Sequence, residues 1–598
     1  MLKITVEFFH LLTSSQKKRF YRLQVLVVIM AFTELIGIVS IAPFMALIGD
    51  ISILEGDNWL ATLYTKSNIN NQYEFIFYLG LIVLVILTVA TIVTIYISWL
   101  LAMFATKVGA EIADRLYSHY LKQNWIFHSM GSSSELTKKI ANESTRVTGQ
   151  ILLPLMLMNS RIVLTFSIAV TLFFYNPIVA IAGLVIFSAA YVVLFKLVRT
   201  RLQRNGENIS NMYAERFKLM NEGFGGIKDV LLLGRSDGFI KRFLKTGSQL
   251  AYSQGTNTAM AQVPRYFMEL LAFGSMIGLV LYLVANYEGD LGLILPILSV
   301  YALAGMKLLP ALQQIYASMA TLKGNLSAYQ SIREDLIATN SYASETREPS
   351  RQRVATSTDI ELENVTFSYP NKAAPALDNV SLKIKGNSVV GIVGTSGSGK
   401  STLIDIIVSL INPQQGEVLI DGVALTNDNK RAWQNKIGFV PQAIFLTEGS
   451  VAENIAFGIE EHLIDYVKVI NALKLAHLDD LVESLKDGVD TKVGERGVQL
   501  SGGQRQRLGI ARALYDDAEV LVFDEATSAL DGITEKIIMD AIRDFSGKKT
   551  LIMIAHRLNT VQNCDQIFML EKGKIVDSGT YKSLLTSNEQ FKKMASHS

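Results

Sequence analysis

Six stretches of the chain are predominantly apolar for long enough to cross a bilayer: about 22 to 49, 75 to 104, 151 to 175, 178 to 198, 264 to 286 and 293 to 320. A spanning helix needs roughly 20 such residues, because its backbone N–H and C=O groups find no water to bond in the hydrocarbon. No comparable run follows residue 325. The first run begins only after Lys17, Lys18 and Arg19 and is too long for the core of a signal peptide, so it is expected to be a retained span. Basic residues divide unevenly between the connections. Segments 105 to 150 and 199 to 261 are rich in Lys and Arg, the 50 to 74 loop holds only Lys66, and 287 to 292 holds none. The excess of Lys and Arg on one side predicts a multi-pass protein with both termini in the cytoplasm.

The two basic connections keep a helical pattern, as in TKVGAEIADRLYSHYLKQ, so the spans are expected to continue as helices beyond the membrane. Asn176-Pro177 is a turn pair that predicts an antiparallel hairpin of the third and fourth spans. The segment NSYASETREPSRQRVATS is polar and aperiodic. Beyond it, strand-like runs (SVVGIVG, EVLVFDE, KTLIMIAH) alternate with helical ones and predict an α/β domain with a largely parallel sheet. The expected division is a membrane domain over 1–335, a linker over 336–357 and a soluble domain over 358–598.

Composition adds bounds. Apolar residues make up 49% of 598, which fits a membrane region, and 56 basic against 54 acidic side chains argue against a nucleic-acid partner. One cysteine, Cys564, excludes an internal disulfide framework.

Gly394, Thr395, Ser396, Gly397, Ser398, Gly399, Lys400 and Ser401 match G-x-x-x-x-G-K-[ST] between a strand pattern and a helix pattern. In that setting backbone N–H groups close on phosphate oxygens, Lys400 meets the outer phosphates, and the Ser401 hydroxyl is placed for Mg²⁺. Asp524 and Glu525 end the strand of EVLVFDEATSALD, at the edge of a parallel sheet where ligands sit. There Asp524 can hold Mg²⁺ through water and Glu525 can polarise an attacking water. Ser501, Gly502, Gly503 and Gln504 precede or open a Gln- and Arg-rich helix, a second N-terminal anion site.

GTSGSGKS, LSGGQ, VLVFDEATSALD and AHR, in this order over the last 240 residues or so, resemble the ATP-binding cassette superfamily. The resemblance implies an α/β P-loop ATPase domain that binds ATP and Mg²⁺. It implies that Tyr369 stacks on adenine, that Thr402 completes the phosphate loop, and that Gln442 senses Mg²⁺. It further implies that His556 contacts the γ-phosphate and that Ser528 and Asp531 form a loop crossing between subunits. Glu495, Arg496 and Gly497 resemble the family's exporter-type loop, and six spans ahead of one cassette resemble an exporter half-transporter. In that family the signature of one cassette closes over ATP held by the other, so a domain-swapped homodimer with two composite sites is implied.

EGFGGIKDVLLLGR at 222 to 235, with the wording of the fifth span, resembles the exporters that flip lipid-linked oligosaccharides for glycan or glycoprotein assembly. GGIKDVLLLG would then be a coupling helix docking in the partner cassette, and the 50 to 74 loop is compatible with a short external helix. The expected function is ATP-driven flipping of a polyprenyl-pyrophosphate-linked oligosaccharide across a bacterial inner membrane. Alternatives are a flippase for another, lipid A-like lipid, a multidrug exporter, and an ATP-gated channel or regulatory cassette protein. With outer ends at Tyr175, Ala285 and Leu293, Arg161 lies about 21 Å, Arg265 about 30 Å and Lys307 about 21 Å below the outer boundary of a core of about 30 Å. These cations in the inner half either meet an anionic headgroup or pair internally, Arg265 with Glu269 and Arg161 or Lys307 with Glu34.

Overall fold

The computed structural model describes residues 7 to 596 except 8, 50, 57, 68, 70, 176, 287–290, 343–358, 371, 373, 495, 496, 498, 499, 526–538, 540–542 and 556. The chain divides into two compact units, Met1–Gln123 with Phe127–Thr346 and Asn124–Ile126 with Arg347–Ser598.

The first unit is helical. Its main helices are α1 (Ser14–Gly49), α2 (Gln72–Leu121), α3 (Leu153–Tyr175), α4 (Pro177–Gly225), α5 (Ser236–Gln262), α6 (Pro264–Asn286) and α7 (Leu291–Tyr342). Among the described residues, five helices are long and apolar enough to cross a membrane. The sixth expected span, 293 to 320, falls within α7. α2 and α4 run 50 and 49 residues, well beyond the roughly 20 that a bilayer requires, so both continue outside it as the charged periodic connections predict. α7 also runs to Tyr342, with Leu336 buried, so residues 336–342 of the expected linker are helical. The remainder of that linker, from 343, lies outside the described residues. The 50 to 74 loop holds a 3₁₀ turn, Ile51–Glu55, and a helix, Trp59–Lys66, pinned by Leu54 and Leu60 against Leu47 and Phe75.

The main core of this unit joins Leu23, Val27 and Met30 of α1 to Ile97, Leu101, Phe104 and Val108 of α2 and to Tyr329, Ile332 and Leu336 of α7. Ahead of α3 the helical run from Ser133 carries two π turns, Lys139–Glu143 and Thr148–Leu152. Between them, Arg146 donates to Glu143 Oε2 (2.8 Å), Ser210 Oγ (2.9 Å) and Asn325 Oδ1 (3.2 and 3.3 Å), tying this run to α4 and α7. α4 and α7 touch backbone to backbone nearby. A Cβ on Gly206 would collide with the Gly324 carbonyl, and Ser327 Oγ donates to the Gly206 carbonyl at 2.7 Å.

The second unit holds two sheets. Strands β1 (Ile360–Phe367), β2 (Leu377–Ile384), β4 (Gln415–Ile420) and β5 (Val423–Ala424) form an antiparallel sheet in the order β2-β1-β4-β5. Strands β3 (Val389–Gly394), β6 (Ile437–Val440), β7 (Val520–Asp524), β8 (Thr550–Ile554), β9 (Gln566–Glu571) and β10 (Lys574–Gly579) form the other, in the order β10-β9-β3-β8-β7-β6. Only the β9/β10 pair of that sheet is antiparallel. β3 and β8 are buried along their whole length, as expected for strands covered on both faces, so their sequences read as unbroken apolar runs rather than alternating ones. The phosphate loop leads from β3 into helix α8 (Lys400–Ile407), and LSGGQ leads into helix α9 (Gly502–Leu514).

Candidate functional site

Sheet register gathers the chemistry at one edge. Ile392 of β3 pairs with Ile554 of β8, and Ile554 pairs with Asp524 of β7, so the loops after these strands leave the sheet at one level. On the far side of β7, Val440 of β6 pairs with Phe523, which places Gln442 and Glu525 two residues beyond the same rung. They meet there: Gln442 Nε2 donates to Glu525 Oε2 at 2.6 Å. Glu525 itself has φ 49°, a left-handed conformation that a non-glycine residue seldom adopts and that concentrates at functional sites. The turn aims its carboxylate back along the sheet edge toward Gln442.

The phosphate loop is wound around Lys400. Its Nζ donates to the carbonyls of Gly394 (2.8 Å) and Thr395 (3.0 Å), and the side chain is buried. Burial lowers the Lys400 pKa, while the charges of Glu525 and Asp524 oppose that shift. Gly399, the residue before α8, has φ 106° and stands against the Ala376 carbonyl, leaving no room for a Cβ. Tyr369 lies half-buried with its ring edge-on to Phe367 and its hydroxyl 3.3 Å from Thr402 Oγ1, and Lys372 sits over the ring. Ser401 is exposed at the helix start.

Whether these residues suit a nucleotide phosphate and a divalent ion can be judged from what they leave unmet. Ser398 Oγ is buried with no hydrogen-bond partner among the described residues. A buried orphan hydroxyl inside a phosphate loop is the condition an anion would relieve. The Asp524 carboxylate, the side-chain carbonyl of Gln442 and the hydroxyl of Ser401 are hard oxygen donors of the kind Mg²⁺ accepts. The residues fit both groups.

The signature is ordered by a reciprocal cap. Gln504 N donates to Ser501 Oγ (3.2 Å) and Ser501 N donates to Gln504 Oε1 (2.7 Å), with Gly502 and Gly503 opening α9 between them. The Ser501 hydroxyl proton is left to donate outward. His556, Ser528 and Asp531, together with Glu495 and Arg496 of the exporter-type loop, lie outside the described residues.

One carboxylate beside the site was not singled out by motif. Asp405, on α8, is pushed up to about 6, first by burial and then by the negative charge of Asp524. The signal was a lone acid in the apolar run STLIDIIV. Its folded pKa lies above the ordinary carboxylate value, so ionised Asp405 opposes folding above pH 6, and that opposition fades as pH falls through 6 toward 4. Asp405→Asn should therefore raise the thermal unfolding temperature of the nucleotide-free protein at pH 8, by about 1 kcal/mol in stability after discounting for solvent screening. The gain should be mostly lost at pH 4, close to the ordinary carboxylate value. An equal gain at both values would rule out the ionisation as its source.

In the membrane-spanning unit the candidate cations are largely paired. Arg161 donates to both oxygens of Glu34 (3.0 and 3.2 Å), which also accepts from Thr94 Oγ1 at 3.1 Å. Arg265 Nε meets Glu269 Oε1 at 2.7 Å one turn along α6. Lys307 is exposed and has no ion-pair partner among the described residues. Internal pairing is thus what the structure holds for two of the three.

Residues 39–308 match the model of the ABC transporter transmembrane region, and residues 377–528 match the ABC transporter model. The chain is similar to the ATP-dependent lipid A-core flippase of Ralstonia nicotianae, with 30% identity over 499 residues and 82% of each chain covered. It is also similar to the flippase of the same name from Escherichia coli K12, with 29% identity over 488 residues covering 82% of this chain and 83% of that one. In fold it is similar to a bacterial Atm1-family ABC exporter solved with ATP bound, with a TM-score of 0.74 at 22% identity over 97% and 98% of the two chains. A helical membrane domain followed by a P-loop ATPase, matched along most of its length by curated exporters, places this chain in the ABC transporter family as an ATP-driven, exporter-type half-transporter.

Proposed function

We propose that the protein is a homodimeric flippase that uses ATP to move a polyprenyl-pyrophosphate-linked oligosaccharide from the inner to the outer leaflet of a bacterial inner membrane, with both termini cytoplasmic. The observation that carries the flippase reading is the similarity over 82% of the chain to proteins named as lipid A-core flippases. The oligosaccharide assignment rests on the resemblance of the fifth span and of residues 222 to 235. The names of the relatives favour a second reading, in which the cargo is a lipid A-like lipid.

In the ATP site, Tyr369 stacks on adenine and the Gly394–Ser401 loop with Thr402 encloses the phosphates. Ser401, Gln442 and Asp524 would hold Mg²⁺, which when bound would neutralise charge developing on the transferred phosphoryl group. Glu525, oriented by Gln442, takes a proton from the attacking water. His556 approaches the γ-phosphate, while Ser501, Gly502, Gly503, Gln504 and Asp531 belong to the half-site offered to a second copy of the chain. The dimer reading is supported by the helix Ile227–Leu232, whose Ile227, Leu231 and Leu232, with Leu233 after it, are exposed and suit docking into another cassette. Lys307 remains the candidate contact to a cargo phosphate.

The purified protein, reconstituted in phosphatidylcholine vesicles, should flip pyrophosphate-linked polyprenyl oligosaccharide in an ATP-dependent way and faster than lipid A or a hydrophobic dye. Faster movement of lipid A would replace the first reading with the second. Equal rates for all three would sink both.

A further inference from the structure

A basic cavity of about 570 Å³ lies between α4 and α7, lined by Arg199, Thr200, Gln203, Arg204 and Glu207 of α4 and by Lys323 of α7. The lining positions on α4 recur at helical spacing and form one face, and its size suits a small ligand. Three cations face one carboxylate, and that carboxylate is engaged: Glu207 Oε1 accepts from Gln203 Nε2 at 3.2 Å, while Gln203 Oε1 accepts from Lys323 Nζ at 2.7 Å. Arg199 and Arg204 have no hydrogen-bond or ion-pair partner among the described residues, unlike Arg201 between them, which donates to Tyr252 Oη at 2.9 Å. The walls are held in place by the Gly206–Gly324 contact and the Ser327 to Gly206 hydrogen bond immediately beside the cavity.

Its depth follows from the helix that carries it. Arg199 is roughly 33 Å along the axis from the Pro177 end of α4, just past a hydrocarbon core of about 30 Å. The side chains agree. Ile178, Leu184, Val193 and Leu197 are exposed, as lipid-facing residues are, and after Leu197 the next exposed large apolar residue on α4 is Phe224. The cavity opens where lipid contact ends, at the level of the phosphates. A second basic cavity, about 440 Å³ and lined in part by Lys18, Arg19 and Arg22, occurs where α1 begins its own apolar run.

We propose that the α4–α7 cavity binds a phosphate group, carried by the headgroup of an anionic lipid in the leaflet on the cassette side. The Arg199 and Arg204 guanidinium groups offer the forked donors that match phosphate oxygens, and Lys323 adds a point charge. Basic pockets between helices at this depth suit phospholipid headgroups on charge and position alike. The site rests on the membrane orientation proposed above, but not on which lipid is flipped.

The test uses the full-length protein in phosphatidylcholine nanodiscs with and without phosphatidic acid, and reads bound lipid by native mass spectrometry in the absence of ATP. Arg199→Gln with Arg204→Gln should weaken phosphatidic acid binding by about 25-fold, at a factor of about five per cation. Arg199→Lys with Arg204→Lys should restore most of it. Lys323→Gln alone should weaken it by about five-fold, which keeps the test open if the double Gln variant does not fold. A parallel arm offers inorganic pyrophosphate in phosphatidylcholine alone. Arginine-dependent binding of pyrophosphate, with phosphatidic acid binding unchanged, would keep the phosphate site but overturn the lipid source. No dependence on these cations in either arm overturns the proposal. Because no transport is measured, failure of the flipping assay and failure of this one are separable.

Discussion

Glu525→Gln should lower steady-state ATP hydrolysis by about 10²- to 10⁴-fold, the range general-base catalysis supplies, while leaving ATP binding in place. The substitution keeps shape and length and removes only the ability to accept a proton. It also keeps the left-handed backbone at this position, since glutamine has the same branching as glutamate at Cβ. The Gln442 Nε2 donor that now meets Glu525 Oε2 at 2.6 Å can meet the new amide oxygen, so the local arrangement has no reason to collapse. Phosphate release and binding of a fluorescent ATP analogue, measured on one preparation, separate the two effects. Hydrolysis near the wild-type rate would remove Glu525 from the role of base. Loss of nucleotide binding would point to damage in the loop around Lys400.

Arg146→Ala should be the most destabilising single change in the membrane unit, by about 3–5 kcal/mol, the range for removing one partner of a buried ion pair. Glu143 is 0% exposed and Arg146 8%, so neither charge is relieved by solvent once its partner is gone. Glu143 Oε1 already lacks a hydrogen-bond partner among the described residues, which leaves the carboxylate dependent on the arginine. The same side chain joins the run before α3 to Ser210 on α4 and Asn325 on α7, so three helices loosen together. Thermal unfolding followed in detergent should show a large drop in the midpoint, or loss of the monodisperse protein. Replacing both charges, Glu143→Leu with Arg146→Met, should recover most of the stability, because apolar groups of similar volume substitute for a buried pair with little loss. A double variant as unstable as the single one would mean that the hydrogen bonds to Ser210 and Asn325, rather than the charge pair, hold the helices.

Much of this architecture was legible in the order of residues. Bilayer thickness imposes a length on apolar runs, and the requirements of a phosphate loop impose glycines and a lysine at set spacing, so both print directly onto the chain. The buried parallel strands were equally plain, because a strand covered on both faces reads VVGIVG. Partnerships across the fold were not. Glu34 was expected to pair with Arg161 or Lys307, and which of the two would take it depends on the packing of α1 against α3, which no local pattern encodes. The two π turns are invisible to a 3.6-residue period, since each adds a residue to a turn and displaces every face beyond it. Asp405 looked like one acid in an apolar helix, and only the sheet order puts Asp524 close enough to raise its pKa. The α4–α7 cavity likewise needed the Gly206–Gly324 crossing to bring Lys323 beside arginines more than a hundred residues earlier.

The reciprocal cap at Ser501 and Gln504 has an entropic side. Fixing a backbone residue costs about 1–2 kcal/mol, so a loop that ordered only when nucleotide arrived would spend several times that on the four residues from Ser501 to Gln504. Here the cap already holds them at the start of a 13-residue helix, within a single chain. Two cassettes closing on ATP would therefore meet as preformed surfaces, and the binding energy of the nucleotide would be left for moving the helices across the membrane rather than for folding the half-site that receives it.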